Sequence, residues 1–183
     1  VRAQTGAWDA ARPTEGAYSA LLTFADGAFA SVTYSGYAHY DGDELADNVS
    51  EMGLPKVAAD YGAARRRLAA AAPAAESALK AARNYGGSAY APAADRPPPA
   101  HQHFGHVLVC CDRGDLRPTP HGVAIYGDGE RRFEPPPPPV VPRAEVIDEL
   151  WSAVIDDRPP LHDGRWARAT LEACVAMLDS ARD

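Results

Sequence analysis

Tyr37-Ala38-His39-Tyr40-Asp41 places an imidazole, two phenols and a carboxylate within five residues. Imidazole can act as a general acid or base or hydrogen-bond a ligand, and tyrosine joins a hydroxyl to an apolar plate. Two readings stand: a substrate-contacting loop at a strand end, where binding residues concentrate, or an aromatic strand cap. A second cluster is His101, His103 and His106, in the run HQHFGH. Imidazole suits several transition metals. Three ligands fall short of a closed tetrahedral site, however, and strand alternation would put His106 on the opposite side from His101 and His103. No metal is assigned, and hydrogen-bonded histidines at a strand entrance are the simpler reading.

Other chemistry-bearing residues are weaker candidates. Cys110 and Cys111 fall mid-strand and are expected to be buried packing residues rather than nucleophiles. Arg113, Asp115 and Arg117 read as a solvated charged turn, and Trp151 and Trp166 as core. The chain has no Gly-rich dinucleotide or Walker loop, no Gly-x-Ser-x-Gly elbow, no Cys-x-x-Cys and no His-Glu-x-x-His. No self-contained catalyst is visible.

The elements that must position these residues begin with three strands. Val1 to Gly6, Tyr18 to Phe24 and Ala28 to Tyr37 read as β, the last two joined by a tight turn at Asp26-Gly27. In the third, Ala30, Val32 and Tyr34 point one way, and Ser31, Thr33 and Ser35 the other. The larger set is expected to be buried, leaving a small-hydroxyl face open. Ala-rich helices are expected over 58–72, with Asp60 at the start, and over 74–84, with Pro73 between them and Gly86 as a stop. Strands follow at Phe104 to Cys111, Asp115 to Arg117, Gly122 to Tyr126 and Arg131 to Glu134. Pro135 to Pro139 is a polyproline connector. Two helices finish the chain: Arg143 to Asp156, striped by Ile147, Leu150, Trp151, Val154 and Ile155, and Arg165 to Arg182, capped by Asp163. Trp166, Leu171, Cys174, Val175, Leu178 and Ala181 are its expected inward face.

Strands followed by helices give an α+β class: a largely antiparallel open sheet, helices on one face, the other free for oligomerisation. One domain is expected over 1–183, with 41–103 as a helical and loop insertion. If the strands ending at Tyr37 and starting at Phe104 are antiparallel neighbours, Tyr40 and His103 share one sheet edge. The insertion then leaves and returns there as a lid, or it is a decorative insertion or an oligomer contact.

The 183 residues carry a net charge of −7, and 46% are hydrophobic. With a pI near 5.3 and a mean hydropathy of −0.32, neither a nucleic-acid partner nor a membrane is expected. Three cysteines, two of them adjacent, suggest no disulfide framework and a reducing cytoplasm. The chain starts Val1-Arg2-Ala3 and is expected to be a piece of a longer one.

Three stretches together carry a resemblance: RPTEGAYSALLTFADGAFASVTYSGY (12–37), CDRGDLRPTPHGVAIYGD (111–128) and RPPLHDGRWARATLEACVAMLDSAR (158–182). They resemble the C-terminal domain of the glucose–fructose oxidoreductase / inositol dehydrogenase / MocA family, and within it the 4,5-dihydroxyphthalate dehydrogenase-like members. The resemblance covers roughly 1–45 and 104–183. It implies a parent with a preceding Rossmann domain that carries NAD or NADP. The family's proton-transfer lysine and histidine match no position here. A fragment of this kind would hold no cofactor and would be inactive alone. The resemblance also implies that Tyr37, His39, Tyr40 and Asp41 face a small-molecule substrate, joined by His101 and His103 if 41–103 forms a lid. An aromatic dihydrodiol or related acid, such as a dihydroxyphthalate precursor, is the implied substrate class, and a dimer or tetramer through the open sheet face the implied assembly. The insertion at 41–103 is longer than the family's usual connection. The alternative is a non-enzymatic assembly module that pairs through its sheet face.

Overall fold

The computed structural model describes residues 1–10, 15–71, 75–91, 97–137, 140–141 and 143–183. Pro73, Pro138 and Pro139, which the sequence reading used as a helix break and part of a connector, lie outside them. The fold is α+β, with two open antiparallel sheets and four α-helices among the described residues. It divides into two compact units, Val1–His39 with Glu149–Asp183, and Tyr40–Asp148. The expected insertion 41–103 falls wholly in the second unit.

The first unit is built on a meander of β1 (Arg2–Gly6), β2 (Ala17–Thr23) and β3 (Phe29–Ser35). The β2–β3 turn closes as the sequence suggests: the Ala28 N–H donates to Asp26 Oδ1 and the Phe24 N–H to the Ala28 carbonyl. The register pairs Ser19 with Thr33 and Ala20 with Val32. The final helix, α4 (Gly164–Ser180), packs on β1, where the Ala3 N–H donates to Ser180 Oγ at 3.1 Å. Its start follows local chemistry. Asp163 has extended backbone, and its carboxylate accepts from the Arg165 and Trp166 N–H groups.

Because α4 sits on β1, the opposite edge strand β3 is left uncovered. Ala30 is half-buried, but Val32 and Tyr34 are exposed, which corrects the expected burial of that side. The buried residues of this sheet are small: Ala3, Ala17 and Ala20. The expected inward face of α4 is corrected too. Trp166 (50% exposed), Leu171, Cys174, Val175 and Leu178 are exposed, while Ala173, Ala176, Met177 and Ser180 are half-buried. An alanine-lined sheet accepts a helix through its small residues, so the large ones turn outward.

The second unit contains a four-stranded meander: β4 (Val109–Cys111), β5 (Gly114–Thr119), β6 (Gly122–Tyr126) and β7 (Arg131–Glu134). β3 and β4 therefore belong to different sheets. This overturns the expected pairing of strands that would have put Tyr40 and His103 at one edge. Residues 104–108, read as strand, make no ladder. Cys110 and Cys111 are exposed on the edge strand β4 rather than buried. Asp115 pairs opposite Cys110 and, chiefly by hydrogen bonding its thiol, holds that thiol above its usual range.

Helices α1 (Ala63–Ala70) and α2 (Glu76–Arg83) are shorter than the sequence suggests. Asp60 lies in a separate 3-10 turn, Ala58–Asp60, cut off from α1 by Gly62. Ala46, Val49, Pro98, Ala100, Pro120 and Ala124 form the small core. Helix α3 (Ala144–Ile155) has the expected stripe, but Ile147, Leu150, Trp151 (62%), Val154 and Ile155 are all exposed. Its periodicity is correct, yet the described residues do not bury it.

Candidate functional site

The site residues expected from the sequence are divided between the two units. In the first unit, Tyr37 ends the turn that follows β3. Its N–H donates to Ser35 Oγ at 3.3 Å, and its ring meets Trp8 at 5.3 Å between centroids. Two glycines make this possible. A Cβ at Gly16 would stand 2.6 Å from the Tyr37 hydroxyl, and one at Gly6 2.6 Å from the Trp8 ring. The Gly16 N–H donates to the Gly6 carbonyl, so the two aromatic rings lie against bare backbone. Sequence reasoning missed Trp8. Its only signal was a tryptophan two residues after a strand-ending glycine. His39 is exposed and presents its imidazole at the surface.

In the second unit, Tyr40 is 68% exposed. Asp41 caps the 3-10 helix Gly42–Ala46, accepting from the Asp43 N–H at 3.1 Å. Lys56 reaches back across the loop and donates to both Asp41 and Asp43, the latter at 3.0 Å. The Lys56 hydrogen bond is the main reason the Asp41 carboxyl sits below its ordinary range. Burial alone would lower the Lys56 ammonium. The two carboxylates outweigh it and hold the ammonium above its usual value. Asp41 is thus a fixed anion and hydrogen-bond acceptor rather than a proton donor at neutral pH. Lys56 was not anticipated, because no local motif links it to a residue fifteen positions away.

The loop carrying Lys56 is itself tightly specified. Val49 bridges Pro55, the Ser50 N–H donates to the Leu54 carbonyl, and the Lys56 N–H donates to the Asn48 carbonyl. At its tip Gly53 has φ +75°, and a Cβ there would lie 2.1 Å from the Ala100 carbonyl oxygen.

The two histidines take different partners. His103 Nε2 lies 2.7 Å from the Val49 carbonyl, and its Nδ1 accepts from the Gly105 N–H at 3.1 Å. The proton must sit on Nε2, since a carbonyl only accepts. Both ring nitrogens are then engaged, and Asp43 Oδ1 stands 3.7 Å from the ring. The His101 N–H donates to the Pro120 carbonyl, and its Nε2 to the Pro136 carbonyl at 3.2 Å. His103 therefore joins the Asp41–Asp43–Lys56 cluster, whereas His101 braces backbone elsewhere. Among the described residues no three His, Cys, Asp or Glu side chains converge as metal ligands. No described helix is long and apolar enough to cross a membrane.

A dinucleotide cofactor does not fit these residues. Among the described residues every strand pairing is antiparallel, whereas a Rossmann-type site needs a parallel β–α–β unit with a Gly-rich turn. The first unit offers an exposed imidazole at His39 and the Trp8–Tyr37 ring pair, and the second an exposed Tyr40 and a clamped carboxylate at Asp41.

Over all 183 residues the chain is 40% identical to the 1-carboxy-3-chloro-3,4-dihydroxycyclohexa-1,5-diene dehydrogenase of Comamonas testosteroni, and it matches 46% of that protein. It is also similar to the crystal structure of a proposed dehydrogenase from Bordetella bronchiseptica RB50. That likeness has a TM-score of 0.81 and 39% identity, and covers 99% of this chain and 46% of the other. The chain thus spans about half the length of the relatives it matches. No family model matches it.

Proposed function

We propose that this chain is the substrate-holding part of an NAD(P)-dependent dehydrogenase of the glucose–fructose oxidoreductase / inositol dehydrogenase / MocA type, acting on a carboxylated cyclic diol. The supporting observation is the 40% identity, over all 183 residues, to a dehydrogenase whose name specifies a dihydroxycyclohexadiene bearing a carboxyl group. The parent enzyme would move a hydride between the nicotinamide and a hydroxyl-bearing carbon. The nucleotide would be bound by other residues of the polypeptide, and the cofactor carries that chemistry.

In this reading His39 and the Tyr40 hydroxyl contact the diol oxygens, and the Tyr37–Trp8 pair provides an apolar plate. Asp41 accepts a hydrogen bond from a substrate hydroxyl or orients the Tyr40 backbone. His103 holds the loop rather than the substrate, since both its nitrogens are engaged. The parent works as a dimer or tetramer through the open face of the first sheet, where Ser19 and Thr33 lie 3.1 Å apart beside exposed Leu21 and Ser31. Free cysteines accord with the cytoplasm as its compartment.

Steady-state kinetics of the polypeptide containing these residues tests the reading. With a cyclohexadiene-diol carboxylate, His39→Ala and Tyr40→Phe should each raise KM several-fold, since each removes one hydrogen bond of about 1 kcal/mol. Unchanged KM in both variants would remove this segment from the site.

A further inference from the structure

The residues assigned above to the diol include no permanent cation, and Asp41 among them is an anion. A carboxylated substrate also needs a counter-charge. Lys56 does not supply it, because Asp41 and Asp43 already take its ammonium. The other cations mostly stand in water, where a single ion pair is worth little. Arg117, on β5, differs. Among the described arginines and lysines it alone is half-buried. No described acid pairs with it. A guanidinium drawn partly out of water without a partner is costly. An anion placed on it is held more strongly than one at the open surface.

The ladder defines its surroundings. Strand alternation puts Arg117 on the same side of the sheet as Asp115 and Thr119. Across the strands it pairs with Ala124, and Ala124 with Phe133. Ala124 is 2% exposed and too short to rise between them. The Phe133 ring leans over bare backbone, since a Cβ at Gly122 would lie 2.9 Å from its Cζ. A cation and an exposed aromatic ring thus flank one small residue, on backbones two strand spacings, about 10 Å, apart. Asp115, the acid on this side, is engaged by the Cys110 thiol. Arg131, 5.2 Å from the Tyr126 ring, adds a second positive charge. In the opposite direction the same strands point Leu116, Val123 and Ile125.

We propose that Arg117 receives the carboxylate of the substrate, with the substrate ring toward Phe133, and so selects carboxylated over uncarboxylated diols. This assignment rests on the dehydrogenase reading and adds the group that recognises the substrate's charge. Arginine suits the role because its planar fork matches a carboxylate in bidentate fashion.

Steady-state kinetics of the full polypeptide with NAD or NADP tests it, using a carboxylated cyclohexadiene diol and the same diol without the carboxyl group. Arg117→Met keeps a long apolar stem and removes the charge. It should raise KM for the carboxylated diol about tenfold or more, the range for a lost charge-assisted bond, and leave KM for the other diol unchanged. Arg117→Lys keeps the charge without the fork and should raise the first KM by less. Benzoate should inhibit the wild type more strongly than benzamide, and Arg117→Met should abolish that preference. An unchanged KM for the carboxylated diol in Arg117→Met, or an equal rise for both diols, would leave the side chain a packing role only and overturn the proposal. If Arg117→Met does not fold, Arg117→Lys decides by the same comparison. Either failure, with the wild type still turning over the carboxylated diol, leaves the dehydrogenase reading standing. No turnover of either diol by the folded wild type removes both.

Discussion

Lys56 connects residues that lie far apart in sequence. Its ammonium joins Asp41 and Asp43, while Val49, on the loop that carries it, accepts from His103. Lys56→Met should cost about 1 kcal/mol, a discounted figure because both partners are partly exposed. It should also speed amide exchange at Asp43 and Glu44, which hydrogen-exchange mass spectrometry would read. The pH dependence has two limbs. Asp41 is held below its usual range, so its contribution is present above about pH 4 and lost as acid protonates it. Lys56 is held above its usual range, so its contribution is present below about pH 10 and lost as the pH rises through its folded value. Denaturant unfolding of the wild type should therefore lose stability relative to Lys56→Met at both extremes. A constant difference between them across pH would contradict the clasp. Gly53→Ala should cost about 2 kcal/mol or more, since it meets both a positive φ and the Ala100 carbonyl. At this scale clustering in the sequence singles out Asp41 and His39 as candidates, but not Lys56 or Trp8, whose placements come from loop closure and a gap over glycine backbone.

Capping and alternation made much of the secondary structure legible. The Asp163 cap, the Asp26-Gly27 turn and the strands Gly122–Tyr126 and Arg131–Glu134 lie where residue patterning puts them. Asp163→Ala should lower stability by about 1 kcal/mol, measurable as a shift in unfolding midpoint without change in slope. What failed was the assignment of partners. Periodicity identifies the stripe on α3 and the larger side of β3, but it cannot say that α4 would settle on β1 through small residues and leave both uncovered. The lost strand at 104–108 has a similar cause: the preceding His101 N–H donates to the Pro120 carbonyl and the Gly105 N–H to the His103 ring, so loop contacts replace a ladder. If the open sheet face pairs with a second copy, Ser31→Lys with Thr33→Lys should reduce the mass seen by light scattering to that of a monomer. An unchanged mass would dismiss that face as the interface.

The distribution of apolar surface concerns the molecule as a whole. Phe29 is 74% exposed on β3, and Leu150, Trp151 and Val154 stand out on α3. Apolar patches of this kind mark surfaces that other protein covers. The relatives are about twice as long as the matched region. On the proposed reading, the nucleotide-binding remainder and a second copy cover these patches, and the His39–Asp41 segment meets the substrate. The most direct measurement is nicotinamide absorbance of the purified full polypeptide given NAD or NADP and a carboxylated cyclohexadiene diol. Reduced nicotinamide should form only when the diol is present, one per diol consumed. If no carboxylated cyclic diol reduces either nucleotide while the protein stays folded, the reading of this chain as the substrate-holding part of a dehydrogenase is wrong.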